Sequence, residues 1–175
     1  MPKLRKMLGN VTDPVVQSLM GLIETQSRST LAHWAVNCAA QRYLPIYESA
    51  YPEDSRLRNA LSAVQDLLLG SRKLADIKPL LRAAAGPGRE AGGNPAAQAA
   101  ARAAATACST VQTPSCALGF TFYGAAAAAY HTAGLSADAG AYDSLAAKEL
   151  EALLKSLQEI AVPNEPNPAK ISWNC

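Results

Sequence analysis

The sequence predicts an all-α protein: a single domain over residues 1–175, folded as a bundle of about six to seven helices with an extended C-terminal tail packed on it. Three observations predict this. Apolar residues recur at three- and four-residue spacing, as in Leu57-Leu61-Val64-Leu68 and Ala146-Leu150-Leu153-Leu157-Ile160, the pattern of helices with one buried stripe. Alanine dominates residues 96–107 and 125–129; it is the strongest helix former and lets helix axes approach closely. No segment alternates apolar and polar residues, and no Asn-Gly or Asp-Gly pair signals a hairpin.

Residues 1–12 form a basic lead-in, expected to fray. Asp13-Pro14 reads as a cap with proline at the first helical position, and Val16, Leu19, Met20 and Ile23 make a short amphipathic helix ending near Gln26. Ser29 or Thr30 is the expected cap of the next helix. Its apolar stripe is Leu31, Trp34, Ala35, Cys38 and Ala39, and its polar stripe is His33, Asn37 and Gln41. Pro45 removes a backbone donor and should end or kink this helix. A further helix begins after Tyr51-Pro52-Glu53-Asp54-Ser55, with Asp54 as its expected N-cap and Gly70 closing it.

In SRKLADIKPLLRAAAG, Pro79 should kink a helix or mark its start. Gly86 to Gly93 reads as a flexible surface loop. Asn94-Pro95 then caps a helix on which Gln98, Arg102 and Thr106 form the one polar stripe. Thr113-Pro114 is expected to open a central helix, apolar all round, with Phe120, Tyr123 and Tyr130 supplying bulk. The last helix covers about 141–161, with Glu151 and Lys155 spaced for an outer i, i+4 pair. Pro163 stops it. The tail 163–175 is extended by its prolines, and Ile171 and Trp173 should anchor it.

The hinge between the second and third predicted helices gathers Arg42, Glu48, Glu53, Asp54, Arg56 and Arg58 within a few turns. Arg42 lies on the line of Trp34 and Cys38, so its stem follows the buried edge and its charge requires an acid. Two readings are open. Arg42, Glu53 and Asp54 form a structural polar hinge that fixes the angle between helices; or His33, Asn37, Glu48, Asp54, Arg56 and Arg58 form a patch that binds a partner.

Composition narrows the classes. Charged residues make up 17% of the chain and the net charge is +2, too small a surplus for nucleic-acid binding. The longest uncharged apolar stretch, 116–130, is too short and too alanine-rich for a membrane span. The start, MPKLRKMLGN, lacks the apolar core of a secretory signal. The four cysteines, Cys38, Cys108, Cys116 and Cys175, show no paired spacing. A cytoplasmic protein with free thiols, no cofactor and no resident metal is therefore expected. Neither a Walker loop, a dinucleotide fingerprint nor a Gly-x-Ser-x-Gly elbow occurs, and no catalytic residues are assigned. The rival reading is a ligand- or metal-binding protein, or an enzyme, that uses Cys38, Cys108, Cys116, His33 and His131 in the bundle core, in a pocket reached by Tyr123. A homodimer packed through alanine faces is a further possibility.

The segments LAHWAVNCAAQRYLPIYE, YPEDSRLRNAL, LLLG, NPAAQAAARAAATA, ALGFTFYGAAAAAYHTAG and NEPNPAKISWNC, in this order, resemble the bacterial Imm-5-like immunity proteins from about Leu31 to Cys175. The resemblance implies a small, helical, cytoplasmic protein that antagonises a polymorphic toxin. Family members often carry histidines around the alanine helices where this chain has Cys108 and Cys116. The family supplies no agreed catalytic residues, so none are transferred. The expected function is immunity-type binding of a protein partner. The slightly basic balance does not favour a basic nuclease as that partner.

Overall fold

A computed structural model describes residues 3–173; Met1, Pro2, Asn174 and Cys175, at the outer ends of the predicted lead-in and tail, lie outside the described residues. The described residues are all helical apart from turns and extended termini. The elements are α1 (Pro14–Ile23), α2 (Arg28–Cys38), a π-helical segment (Ala39–Tyr43), α3 (Leu44–Ala50), α4 (Arg56–Leu68), α5 (Leu74–Ala83), α6 (Gly86–Glu90), α7 (Pro95–Ser109), α8 (Cys116–Ala133) and α9 (Ala139–Ile160). With α2 to α3 taken as one rod and the single turn α6 set aside, seven helices remain.

The α7–α8 hairpin is the centre. Its inner faces are alanine: Ala97, Ala100, Ala101, Ala104 and Ala107 on α7 and Ala125, Ala126, Ala127 and Ala129 on α8 are all buried. These small side chains allow close helix contact. The alanine faces are turned inward and are consumed by the bundle itself. Larger side chains fill the periphery of this pair. Trp34 meets the Phe120 ring edge-on at 4.9 Å and donates its indole N–H to Ser156 Oγ at 2.8 Å, tying α2 to both α8 and α9. The Tyr43 ring lies directly over Gly124, where any Cβ would overlap it.

The predicted caps are partly displaced. Ser27, not Ser29 or Thr30, caps α2 by accepting the Thr30 N–H. Ser55 is the cap position of α4, and Asp54, one residue before it, accepts the Arg56 N–H at 3.1 Å. α8 begins at Cys116, after a turn that contains Thr113-Pro114. Asn94 caps α7 as expected, accepting the Ala97 N–H, and Gly70 follows α4 at φ +83°, a conformation that glycine adopts without strain.

Pro45 neither ends nor breaks the rod. The helix widens instead into the π-helical segment immediately upstream, where the Leu44 N–H reaches the Ala39 carbonyl. The wider turn makes room for a proline ring that would otherwise press on the carbonyl four residues back. Pro79 lies inside α5 rather than at its start.

Three further expectations change. The Gly86–Gly93 stretch is not a loose loop: its first half is α6, with Gly86, Pro87 and Gly88 buried. Those glycines provide clearance, because Gly86 lies against the Arg56 guanidinium and a Cβ on Gly88 would come within 2.9 Å of Arg102 Cγ. The lead-in is packed, with Leu8 buried, its N–H bonded to the Phe122 carbonyl at 3.1 Å, and Arg5 paired with Asp143 at 2.5 Å. Glu151 and Lys155 are both exposed on α9 and form no ion pair.

The tail returns across the bundle as expected and clasps the start of α2. Glu165 accepts from Ser27 Oγ, Thr30 Oγ1 and the Ser27 N–H at 2.5, 2.6 and 3.1 Å. Gln26 exchanges hydrogen bonds with the Val162 backbone, and the Ala169 N–H reaches the Gln26 carbonyl. Ile171 and Trp173 rest on the core, and the Trp173 indole donates to Glu24.

Candidate functional site

The elbow between α3 and α4 is built on Tyr47. α3 places this side chain inward, almost fully buried, and its ring stacks on Tyr51 at 5.1 Å. Its hydroxyl donates to Asp54 Oδ2 at 2.6 Å. Arg56 folds back onto the same carboxylate, with Nε 3.0 Å from Oδ1 and Nη2 2.8 Å from Oδ2. The guanidinium then spans to α6, where Nη1 and Nη2 lie 3.1 and 2.5 Å from the Glu90 oxygens. Beside this chain Arg58 forks onto Glu48 through Nε and Nη2. Bidentate charge-assisted bonds of this kind fix direction as well as distance.

The electrostatics follow the geometry. The Arg56 hydrogen bonds, against the opposing effect of burial and with help from Tyr47, hold the Asp54 carboxyl well below the ordinary carboxylate range. Burial, then the bond to ionised Asp54, pushes the Tyr47 phenol up, so the hydroxyl stays a donor. The exposed Glu90 carboxyl is also lowered, chiefly by Arg56.

Of the residues singled out from the sequence, the structure brings Asp54 to Arg56 and Glu48 to Arg58. Glu53 is exposed and joins neither pair. Asn37 is exposed further along the rod, accepting a hydrogen bond from Gln65 of α4 at 3.4 Å. His33 is half-buried on the same face and makes no bond to the elbow.

Arg42 does not belong to the hinge. It turns to α9 and forks onto Glu149, with Nε and Nη2 at 2.6 and 2.7 Å from its two oxygens. The Tyr43 hydroxyl donates to the same carboxylate at 2.8 Å. Burial, reinforced by Glu149, pushes the Tyr43 phenol up. The acid that Arg42 required is thus 107 residues away. Glu149 had a visible signal, since it sits inside the Ala146-Leu150-Leu153 seam where an unpaired acid would be costly. Glu90 and Tyr47 had none, because a glycine-rich context hid the first and ordinary core spacing the second.

The Cys and His side chains of the rival reading are dispersed. Cys38 is buried with Sγ 3.4 Å from Ser156 Oγ, and burial raises its thiol. Burial pushes the Cys108 thiol up to about 12, so it stays protonated and inert. His131 is exposed and lines a cavity of about 420 Å³ beside Arg42 and Glu149, whereas Tyr123 faces a different cleft and Cys38 lines neither. Among the described residues no three His, Cys, Asp or Glu side chains gather as metal ligands, and no helix is long and apolar enough to cross a membrane.

No curated protein and no solved structure matches the chain. One family model does, over residues 21–156, and its description is "Imm-5 like putative immunity protein". The matched span runs from α1 through most of α9 and contains the whole elbow.

Proposed function

The chain belongs to the Imm-5 like immunity protein family, and from that premise we propose that it binds a protein partner, a polymorphic toxin, and neutralises it by covering part of the toxin surface. The proposed contact surface is the elbow: Glu48, Asp54, Arg56 and Arg58, extended along the rod by Asn37 and His33. The compartment consistent with this role is the cytoplasm.

The observation that carries the reading is the state of the elbow charges. Arg58 and Glu90 are exposed and Glu48, Asp54 and Arg56 are half-buried at the surface, yet each is held in one direction by a partner, with Arg56 set between Asp54 and Glu90 and Arg58 on Glu48. Surface pairs of this kind contribute little to stability. A pre-set pattern of alternating charge does, however, lower the ordering cost of association and selects a complementary partner. The mixed signs suit a partner of mixed charge rather than a strongly basic one.

The test first asks whether a neighbouring gene encodes a toxin-domain protein and then uses that protein. Co-expression should restore growth, and calorimetry should show a complex of the two proteins. The double variant Glu48→Arg/Arg58→Glu keeps the internal pair but reverses the outward pattern. It should melt at the wild-type temperature and bind at least about tenfold more weakly, as expected for misplaced interfacial charge. Undiminished binding by this variant would remove the elbow from the interface, and failure of the wild-type chain to restore growth would remove the immunity role.

A further inference from the structure

We propose that the cleft between α6, α7 and α8 is an oxyanion-binding site that takes a small phosphorylated ligand, with Arg102 and Arg89 as its cationic grip. The cleft holds about 200 Å³, and its polar lining is Arg89, Arg102, Thr106 and Tyr123 over walls of alanine and Gly88. That volume accommodates a phosphate group and a short carbon stem but not a nucleic-acid strand or a folded partner.

Charge balance is the first argument. No carboxylate lines the cleft. The nearest acid by sequence, Glu90, is paired with Arg56 and lies close enough to the exposed Arg89 to feel its charge, but it does not line the cleft. Arg102 is half-buried, and on its other side it borders a second small cleft that is also without an acid, lined by Arg5, Lys6 and Gln98. The cations that line that second cleft do not relieve it. A guanidinium is always charged, and withdrawing it from water without a counter-charge is unfavourable. At every buried or half-buried arginine of the elbow and of the α9 seam, a carboxylate meets this requirement. Here the fold leaves it to a ligand.

Geometry is the second. Among the described residues, the side chains of Arg89, Arg102, Thr106 and Tyr123 make no hydrogen bond or ion pair to the protein. Thr106 sets its methyl toward Gly119 of α8, and Gly88 lets the Arg102 stem pass close over α6. Gln98, the remaining member of the α7 stripe, is spent on the Gly88 carbonyl at 2.7 Å and so fastens the rim. Two arginines and two hydroxyl-bearing side chains lining one acid-free hollow match a tetrahedral oxyanion, which guanidinium forks recognise through paired N–H donors. The site is separate from the elbow, and its occupancy does not depend on the toxin.

NMR titration of the full chain at constant ionic strength tests this, with inorganic phosphate and glycerol phosphate as probes and chloride as the control. Saturable shifts at Gly88, Arg89 and residues 101–106 are expected. Tighter binding of glycerol phosphate assigns the ligand as an organic phosphate, and tighter binding of inorganic phosphate assigns the free ion. Arg102→Gln should weaken binding about tenfold, the usual worth of a charge-assisted bond. Arg89→Gln should weaken it less, and Arg58→Gln not at all. If Arg102→Gln does not fold, Arg102→Lys keeps the charge and loses the fork, and it should still bind more weakly. Shifts that follow ionic strength without saturating would overturn the assignment, as would unchanged affinity in the folded Arg102 variant.

Discussion

The α9 seam and the elbow each hold an arginine–carboxylate pair, of the same chemistry in different surroundings. At the α9 seam, Arg42 and the Tyr43 hydroxyl converge on Glu149, whose side chain is only 10% exposed. At the elbow, Arg58 and Glu48 pair nearer to solvent, with side chains 61% and 22% exposed. Solvent separates the two in energy. A half-buried pair that loses one member leaves an uncompensated charge or donor behind, whereas an exposed pair returns both members to water. The seam therefore serves cohesion between the α2–α3 rod and α9, and the Arg58–Glu48 pair of the elbow adds little to it.

The largest expected effect breaks the seam. Glu149→Ala strands Arg42 and leaves the Tyr43 hydroxyl without its acceptor. Destabilisation of roughly 2–3 kcal/mol is expected, toward the lower end for buried pairs because the Arg42 side chain stays 41% exposed. Chemical denaturation measures it, and a loss no larger than that of an elbow variant would erase the contrast. Asp54→Ala should cost about 1–2 kcal/mol, because it removes the acceptor of Tyr47 and Arg56 at the inner edge of the elbow.

Acid sharpens the same comparison. Asp54 and Glu165 both titrate below their ordinary values. Arg56 bonds dominate at Asp54; at Glu165 burial acts upward and the bonds from Ser27 and Thr30 outweigh it. A carboxylate with a depressed folded pKa stabilises above its unfolded value, about 4, and that contribution is lost as pH falls below it. Melting temperature should fall steadily below about pH 4, and the Asp54→Asn/Glu165→Gln double variant should show a shallower decline. Equal slopes would mean that neither group links to folding. The smallest effect is at the surface: Arg58→Gln should shift stability by less than about 0.5 kcal/mol, measured by the same denaturation.

Helix existence was legible because it is local. The seam of α9, the Asn94 cap and the alanine faces of α7 and α8 each announce themselves within a few residues. The family, too, was legible from the order of motifs, and the match over residues 21–156 supports it. Pairings distant in sequence were not: Arg42 demanded an acid and Glu149 stood out in the α9 seam, but nothing joined the two, and nothing named Glu90 for Arg56. Composition misled at Gly86–Gly93, since a glycine that confers looseness in isolation reads the same as one that clears space for a guanidinium. The packed lead-in escaped notice because its few apolar residues, Leu4, Met7 and Leu8, stand among basic ones, and the place of Leu8 is set by Phe122 far along the chain.

The widened turn at Ala39–Tyr43 carries a consequence for the whole first half. A π turn amounts to one extra residue within an α-helix. Winding the same five residues as an ideal α-helix, with none removed, would swing everything downstream by roughly 100°. Tyr47 would then point away from Asp54, and the bend would lose its pivot. The local irregularity is thus what keeps two faces of one rod in phase, Trp34 toward the centre and Tyr47 toward the rim, so a more perfect helix would make a poorer protein.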